Sequence, residues 1–259
     1  MDTRVELLDA FYQTMRRDIV KIENKNYGFD FINELTADDV TLDYVQMENN
    51  FIHKYRLLNV SEYVRKRLLQ GHVNQEYNVC LYFDEMANNT CCFNLDNNFK
   101  TNSAGKIPEM ELAVDYLQQH LGKYGIETVS IKSGRGYHQW CRFEKPIANQ
   151  LLLDFMIRIA AKTLASLHYS NHDYHTIKIN MSPNPNFVKG LSLRAFGSRH
   201  IKTGDFSHIQ TKDGVLNEAD SWKYFSDYMS NKTISEQQFM LAYDELAKDI
   251  SFKNSEFSY

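Results

Sequence analysis

The segment Ser133–Trp140 combines phosphate-binding side chains with two glycines. Gly134 and Gly136 flank Arg135, and His138 follows before an apolar run resumes. Glycine leaves backbone amides free to line an anion-binding concavity, and the arginine and imidazole groups add further donors. The segment is therefore typical of a phosphate-binding turn between two strands, and a glycine turn with a solvated arginine is the alternative.

A second segment, Leu193–Gly204, holds a similar set of groups. It contains Arg194, Ser198, His200 and Lys202 together with two glycines. Cations combined with hydroxyl donors suit the recognition of a polyphosphate. A solvated basic loop is the alternative.

A third segment, Cys92–Asn98, has side chains that could bind a metal. Because side chains alternate along a strand, we expect Asn94, Asp96 and Asn98 on one face. Carboxylates two positions apart can converge on one divalent cation, but only Asp96 is a carboxylate, and an asparagine carbonyl contributes no charge. A polar turn is the alternative.

The three segments lie in a stretch where the hydrophobic period becomes strand-like. Helices are predicted from Pro108 to about residue 121 and over 147–168, and Met86–Asn89 is predicted to be a hairpin turn. Short strands are predicted at 78–83, 90–95, 127–131, 137–143, 176–179 and 191–195.

Both ends of the chain are predicted to be helical. Apolar residues recur at helical spacing near each end, and Ser235 with Gln238 predicts a capped helix start. The sequence therefore predicts a helical N-terminal region (1–75), a core (76–210) and a helical C-terminal region (211–259). This order predicts an α+β fold with an antiparallel or mixed sheet, and it leaves the strand order open.

The charge is distributed unevenly along the chain. The 259 residues have the composition of a globular protein, with 43% hydrophobic and 24% charged residues. The net charge of −4 argues against a protein that coats nucleic acid by charge alone. The stretch 123–202 nevertheless carries a net charge of +8, which indicates a localised anion-binding face.

The sequence also argues against several classes of protein. The longest apolar stretch, Leu151–Leu164, is interrupted by charged residues, so no membrane span is predicted. The N-terminus lacks a signal pattern, and we therefore expect a cytoplasmic location. The four cysteines show no C-x-x-C spacing and are expected in strands rather than in a structural zinc site.

The order and spacing of the three segments resemble the archaeo-eukaryotic primase superfamily, which includes primase-polymerases of viruses, plasmids and mobile elements. In this family a D-x-D motif is followed by an S-x-H motif, a hydrophobic–aspartate motif and a phosphate-contacting run. The specific matches are Ser133–His138 and Ser198–Gly204, and the resemblance covers about residues 77–204. It implies a primase-type core with an RRM-like antiparallel or mixed sheet between N- and C-terminal helices.

The resemblance implies roles for individual residues. His138 would contact the phosphates of an incoming nucleotide and Asp96 would be the second aspartate of D-x-D, so these two are the candidate catalytic residues. The candidate nucleotide-binding residues are Ser133, Arg135, His138, Arg194, Ser198, His200 and Lys202. The candidate ligands for Mg²⁺ or Mn²⁺ are Asp96, Asn94 and Asn180.

The sequence departs from the family pattern at the metal ligands. Asn94 stands at the first aspartate position and Asn180 at the third acid. A single carboxylate offsets little of the positive charge of two divalent ions that lie about 3.5–4 Å apart. The alternative acids are Asp96 with Asn98, Asp84 with Glu85, and Asp173.

The resemblance implies a nucleotidyltransferase that binds a nucleoside triphosphate and a single-stranded DNA template and synthesises primers in DNA replication. The alternative is a member of the fold that has lost catalysis and binds nucleotide or nucleic acid within a replication complex. In either case a further replication protein, such as a helicase, polymerase or large subunit, is the expected partner.

Overall fold

A computed structural model describes residues 2–24, 33–34, 39–48, 52–97, 108–134, 136–186, 192–231 and 233–256. These residues form helices and antiparallel sheets, which confirms the predicted α+β class. The helices are α1 (Thr3–Phe11), α2 (Glu62–Val73), α3 (Pro108–Lys123), α4 (Asn149–Tyr169), α5 (Glu218–Asn231) and α6 (Glu236–Glu256). The strands are β1 (Arg16–Asn24), β2 (Thr41–Glu48), β3 (Ile52–Leu58), β4 (Asn78–Tyr82), β5 (Ala87–Asn97), β6 (Thr128–Lys132), β7 (Tyr137–Ala148), β8 (Ile177–Ser182), β9 (Ser192–Arg194), β10 (His208–Thr211) and β11 (Gly214–Val215).

The chain divides into two compact units, each built from segments that are distant in sequence. Unit 1 comprises Met1–Glu85, Ile131–Gly134 and Asn186–Ser230. Unit 2 comprises Met86–Ser130, Arg135–Pro185 and Asn231–Tyr259. The predicted boundaries after residues 75 and 210 divide the chain into three continuous segments, whereas each unit in the structure combines several separate segments.

Unit 1 contains a five-stranded antiparallel sheet in the order β2–β3–β1–β4–β9. Helix α2 packs against β1, β4 and α1. Val20, Ile22 and Leu57 are buried on the helix side of the sheet, whereas Lys21 and Glu23 alternate with them on the other face. The sheet therefore has one apolar face and one polar face.

The prediction of a helical N-terminal region over residues 1–75 misses three strands. Helices α1 and α2 are present, but β1, β2 and β3 lie between them. Strands β3 and β4 pair with β1 on either side, and helix α2 packs against the sheet where Val20 and Ile22 are buried. The strand conformation of β1 therefore depends on pairing with strands that lie further along the chain. The spacing of apolar residues within β1 does not report such pairing.

Unit 2 contains β7, β5, β8 and the first three residues of β6, in the order β6–β7–β5–β8, and α3, α4 and α6 pack against the apolar face. Along β5, Phe93 and Leu95 are buried in this core, so Asn94 and Asp96 lie on the opposite face. The predicted helices starting at Pro108 and covering 147–168 are confirmed. The predicted cap of α6 is also present, because Ser235 Oγ accepts the N–H of Gln238 at 3.1 Å.

Two further predictions concern the strands. The predicted hairpin at Met86–Asn89 is wrong, because β4 belongs to the sheet of unit 1 and β5 pairs with β7 and β8. The expectation that the cysteines lie in strands is confirmed, and all four are buried free thiols. Within the described ranges, no helix is long and apolar enough to cross a membrane.

Candidate functional site

Residues Ser198–Gly204, which we call the 198–204 loop, form a tight reversal of the chain in unit 1. The N–H of His200 donates to the carbonyl of Asp205 at 2.8 Å, and the N–H of Gly204 donates to the carbonyl of His200 at 2.7 Å. Gly204 has φ of +78°, in the left-handed region that glycine adopts without strain. The loop backbone is therefore closed on itself by hydrogen bonds.

Side chains of α2 and β4 hold the 198–204 loop in place. Asn78 accepts the N–H of Arg199 at 3.0 Å and donates to its carbonyl at 2.6 Å. His72 donates from Nε2 to the carbonyl of Phe196 at 2.8 Å and accepts the N–H of Val79 at Nδ1. Burial lowers the pKa of His72 to about 4, so the ring is neutral at pH 7 and can make both bonds.

The loop carries three of the predicted nucleotide-binding residues. Ser198 and His200 are buried, with 4% and 6% of their surface exposed, whereas Lys202 is exposed. His200 Nδ1 accepts the N–H of Thr203 at 3.2 Å, so the neutral ring carries its proton on Nε2. The loop thus combines an exposed ammonium group with an imidazole that Thr203 orients.

The glycine turn packs directly on this loop. Gly134 has φ of +89°, and a Cβ built there would lie 2.7 Å from both Cβ and Cγ of His200. A residue other than glycine therefore meets both backbone strain and a collision. Ser133 beside it is partly buried, and Arg135 lies outside the described residues. The structure therefore brings Ser133–Gly134 into contact with the 198–204 loop within unit 1, whereas His138 belongs to unit 2.

Arg194 is bound by an acid that the sequence analysis did not identify. Its Nε donates to Glu23 Oε2 at 2.9 Å, and Lys21 Nζ lies 3.0 Å from Glu23 Oε1. Burial raises the pKa of Glu23, but the two cations outweigh that effect and lower the value to about 2. The cluster of Lys21, Glu23 and Arg194 carries a net charge of +1, so it still attracts anions.

We expect Glu23→Gln to lower the free energy of unfolding by about 3 kcal/mol at pH 7. Folding lowers the pKa of the Glu23 carboxyl group from 4.5 to about 2, and a pKa difference of that size corresponds to this free energy. The contribution of Glu23 is complete above its unfolded pKa and is lost as the pH falls from 4.5 towards 2. The variant should therefore lose less stability than the wild type over that range in urea denaturation. Glu144→Gln, at an exposed position, is the control, and identical curves for the two variants would contradict this role of Glu23.

Three of the predicted residues of unit 2 lie side by side across neighbouring strands. Asn94 on β5 is paired in register with His138 on β7 and with Asn180 on β8. Directly opposed residues of antiparallel strands project from the same face, with Cβ atoms about 4.5–5.5 Å apart. His138 is 7% exposed, and both asparagines are partly buried. We call His138, Asn94 and Asn180 the polar row.

Asp96 lies on the same face as the polar row, and its partner on β8 is a cation. The register places Asp96 opposite Lys178, whose side chain is exposed. Asp96 Oδ1 accepts the N–H of Asn97 at 3.0 Å. On the other side of Asp96 lies Gly136, the residue before β7, where a Cβ would collide with the carbonyl oxygen of Leu95. The register therefore places a carboxylate and an ammonium group, which carry opposite charges, on neighbouring strands.

The alternative acids do not complete a metal site in the part of the chain that the structure describes. Asp84 and Glu85 belong to unit 1, where Arg16 binds Glu85 at 2.8 Å. Asp173 accepts the N–H of His175 at 3.1 Å and begins a short 3₁₀ turn. Asn98 lies outside the described residues. No three His, Cys, Asp or Glu side chains come together among the residues described.

The residues on this face do not fit a two-metal centre. The predicted ligands Asp96, Asn94 and Asn180 do share one face of unit 2, but they supply a single negative charge, and Lys178 opposes it. Two divalent ions need several carboxylates to offset their charge and to hold both the attacking and the leaving oxygen. The amide groups can offer carbonyl oxygens but no charge.

The structure is similar to two solved structures of polymerase domains at low sequence identity. The polymerase domain of ligase D from Mycobacterium tuberculosis, in complex with DNA, matches with a TM-score of 0.46 and 12% identity over 95% of this chain and 88% of that chain. The AEP domain of the primase-polymerase from cyanophage S-2L matches with a TM-score of 0.39 and 11% identity over 86% of this chain and 96% of that chain. No protein-family model matches the sequence, and no curated protein matches it. Both TM-scores are below 0.5, so neither similarity carries a conclusion about function.

Four residues in the regions described above were not predicted from the sequence to have a functional role. Lys178 could have been found, because it lies on the predicted strand 176–179 two positions before Asn180, and one more strand residue would place both side chains on one face. Glu23 could not, because β1 itself was missed. Asn78 binds the backbone of Arg199, and the backbone N–H of Thr203 binds the ring of His200. An asparagine or a threonine in a sequence does not by itself indicate such a contact.

Proposed function

We propose that this chain is a primase-type domain that binds a nucleoside triphosphate and single-stranded DNA in DNA replication. The observation that carries the proposal is the packing of Gly134 on His200, which joins Ser133–Gly134, the first part of the glycine turn, to the 198–204 loop. Both segments carry phosphate-binding groups, and both match the motifs of the family that the sequence resembles.

The 198–204 loop supplies the phosphate-binding groups of unit 1. Lys202 provides an exposed charge that attracts phosphate, and His200 provides an imidazole in a fixed tautomer. Ser133 and Ser198 are further donors in the two contacting segments. Because Asn78 and the loop's own hydrogen bonds fix the backbone, these groups lose little freedom when a phosphate binds.

The geometry of unit 2 favours binding without primer synthesis. Asn94 and Asn180 replace acids that nucleotidyl transfer by two metals would require, and Lys178 opposes Asp96. The chain would then be a catalytically inactive subunit that presents nucleotide or DNA to a further replication protein. Primer synthesis with Mg²⁺ or Mn²⁺ is the second candidate, and the placement of Asp96 and His138 on one face favours it.

Calorimetric titration of a nucleoside triphosphate into the full chain tests the proposal. We expect binding by the wild type, and a dissociation constant about tenfold higher for Lys202→Ala, since a charge-assisted hydrogen bond contributes about 1.5–3 kcal/mol. Lys212→Ala, which removes an exposed lysine of the β10–β11 turn in the same unit, is the matched control. Absence of binding by the wild type, or equal affinities for the two variants, would contradict the proposal.

Incorporation of labelled nucleotides on single-stranded DNA with Mn²⁺ separates the two candidate functions. We expect no product from the wild type. Product formation would favour primer synthesis, and loss of that product in Asp96→Asn would assign the reaction to this face of unit 2.

A further inference from the structure

The polar row of unit 2 consists of groups that can bind an anion. An aspartate at position 94 or 180 would only accept hydrogen bonds when ionised, whereas the asparagine amides each carry an NH₂ group that donates. Asn94 and Asn180 are opposite each other in register, so their amides lie on one face and close together. With amides in place of carboxylates, positions 94 and 180 can therefore donate hydrogen bonds as well as accept them.

Lys178 adds a positive charge next to these donors. It lies opposite Asp96 and is two positions from Asn180 on the same strand, so it projects from the same face. Its side chain is exposed, and β8 is the last strand in the order β6–β7–β5–β8. Gly136, which precedes β7 and lies beside Asp96, contributes no side chain that would cover this position. The ammonium group is thus accessible to an anion from solvent.

We infer that this face of unit 2 binds phosphate groups directly and without a divalent metal, with Lys178 supplying the positive charge and Asn94 and Asn180 donating hydrogen bonds. The inference rests on the proposed function, from which the phosphate chemistry of the ligand comes. The same phosphate chemistry is present in a free nucleoside triphosphate and in a DNA strand.

Metal independence follows from the charges on the face. A divalent ion at Asp96 would lie close to the ammonium group of Lys178, and the two cations repel each other. A phosphate oxygen beside Asn94 and Asn180 can accept hydrogen bonds from their amides, and Lys178 offsets the repulsion by the carboxylate of Asp96. Because Asp96 and Lys178 carry opposite charges, the amide donors give this face its preference for an anion.

The test is calorimetric titration of the full chain with a nucleoside triphosphate and, separately, with a single-stranded oligonucleotide, each in EDTA and in Mg²⁺. We expect binding in EDTA that Lys178→Ala weakens about tenfold or more, because a charge-assisted hydrogen bond is lost. Lys178→Arg should retain most of the affinity. Lys145→Ala, an exposed lysine towards the other end of β7, should bind as the wild type does.

The outcomes separate this inference from the proposed function. If Lys178→Ala weakens the binding of the nucleotide alone, the face binds a nucleotide. If it weakens the binding of the oligonucleotide alone, the face binds a DNA strand. Either outcome supports the inference. Binding that requires Mg²⁺, or equal affinities of Lys178→Ala and Lys145→Ala, overturns the inference and leaves the proposed function standing. Absence of binding to either ligand under every condition overturns the proposed function itself.

Discussion

Replacing Gly134 with alanine is expected to weaken the binding of a nucleoside triphosphate by about tenfold to a hundredfold, the loss of one or two charge-assisted hydrogen bonds. Alanine at this position would place its Cβ 2.7 Å from both Cβ and Cγ of His200. These are the atoms of His200 nearest its backbone, and Asn78 and the loop's own hydrogen bonds hold that backbone in place. The collision can therefore be relieved only by moving the turn or the 198–204 loop.

The same substitution also introduces backbone strain, which needs its own control. Gly134 has φ of +89°, and alanine there costs about 1–2 kcal/mol. Gly214 in the β10–β11 hairpin also has a positive φ, +125°, but a Cβ built there meets no atom within 4 Å. Gly214→Ala therefore carries strain without the collision, and it should lower the melting temperature without changing the affinity. If Gly134→Ala and Gly214→Ala bind the nucleotide equally well, the contact with His200 does not serve binding.

Combining Asn94→Asp with Asn180→Asp is expected to create a divalent-metal site where the wild type has none. Together with Asp96, the double variant would place three carboxylates on one face of β5 and β8, since positions 94 and 180 are opposite each other. Without metal, carboxylates directly opposite each other repel and cost about 1 kcal/mol or less. We therefore expect a lower melting temperature in EDTA and a higher one in Mn²⁺, whereas the wild type should melt alike in both.

Each single variant is a control for this effect, because neither supplies all three carboxylates. Asn171→Asp, at an exposed position of the same unit, controls for the added charge. Primer synthesis with Mn²⁺ is a second readout, and its appearance in the double variant alone would identify a site that has lost its acids. A double variant that melts at the same temperature in EDTA and in Mn²⁺ would show that these positions cannot hold a metal.

Sequence periodicity predicted unit 2 better than unit 1, and the reason is physical. In unit 2 the helices α3 and α4 carry clear apolar stripes and begin near recognisable starts such as Pro108. In unit 1, β1 is a strand because β3 and β4 pair on both sides of it. Such pairing joins residues far apart in sequence, and no local pattern reports it.

The candidate site was predictable as a set of residue types but not as an arrangement. The two phosphate-type segments were identified from glycine, histidine and cation spacing, yet their contact through Gly134 and His200 depends on the fold. The register of β5 with β7 and β8 was also inaccessible, because the strand order could not be fixed from the sequence. For this reason the position of Lys178 opposite Asp96 became visible only in the structure.

Hydrogen–deuterium exchange with and without a saturating nucleoside triphosphate tests the central claim most directly, because it locates the bound phosphates in the chain. The account predicts that exchange slows in the segments that contain the 198–204 loop and the Ser133–Gly134 turn, and that Lys202→Ala reduces this protection. Protection confined to other segments, or unchanged exchange in both of these at saturation, would contradict the assignment of the 198–204 loop as the phosphate-binding element.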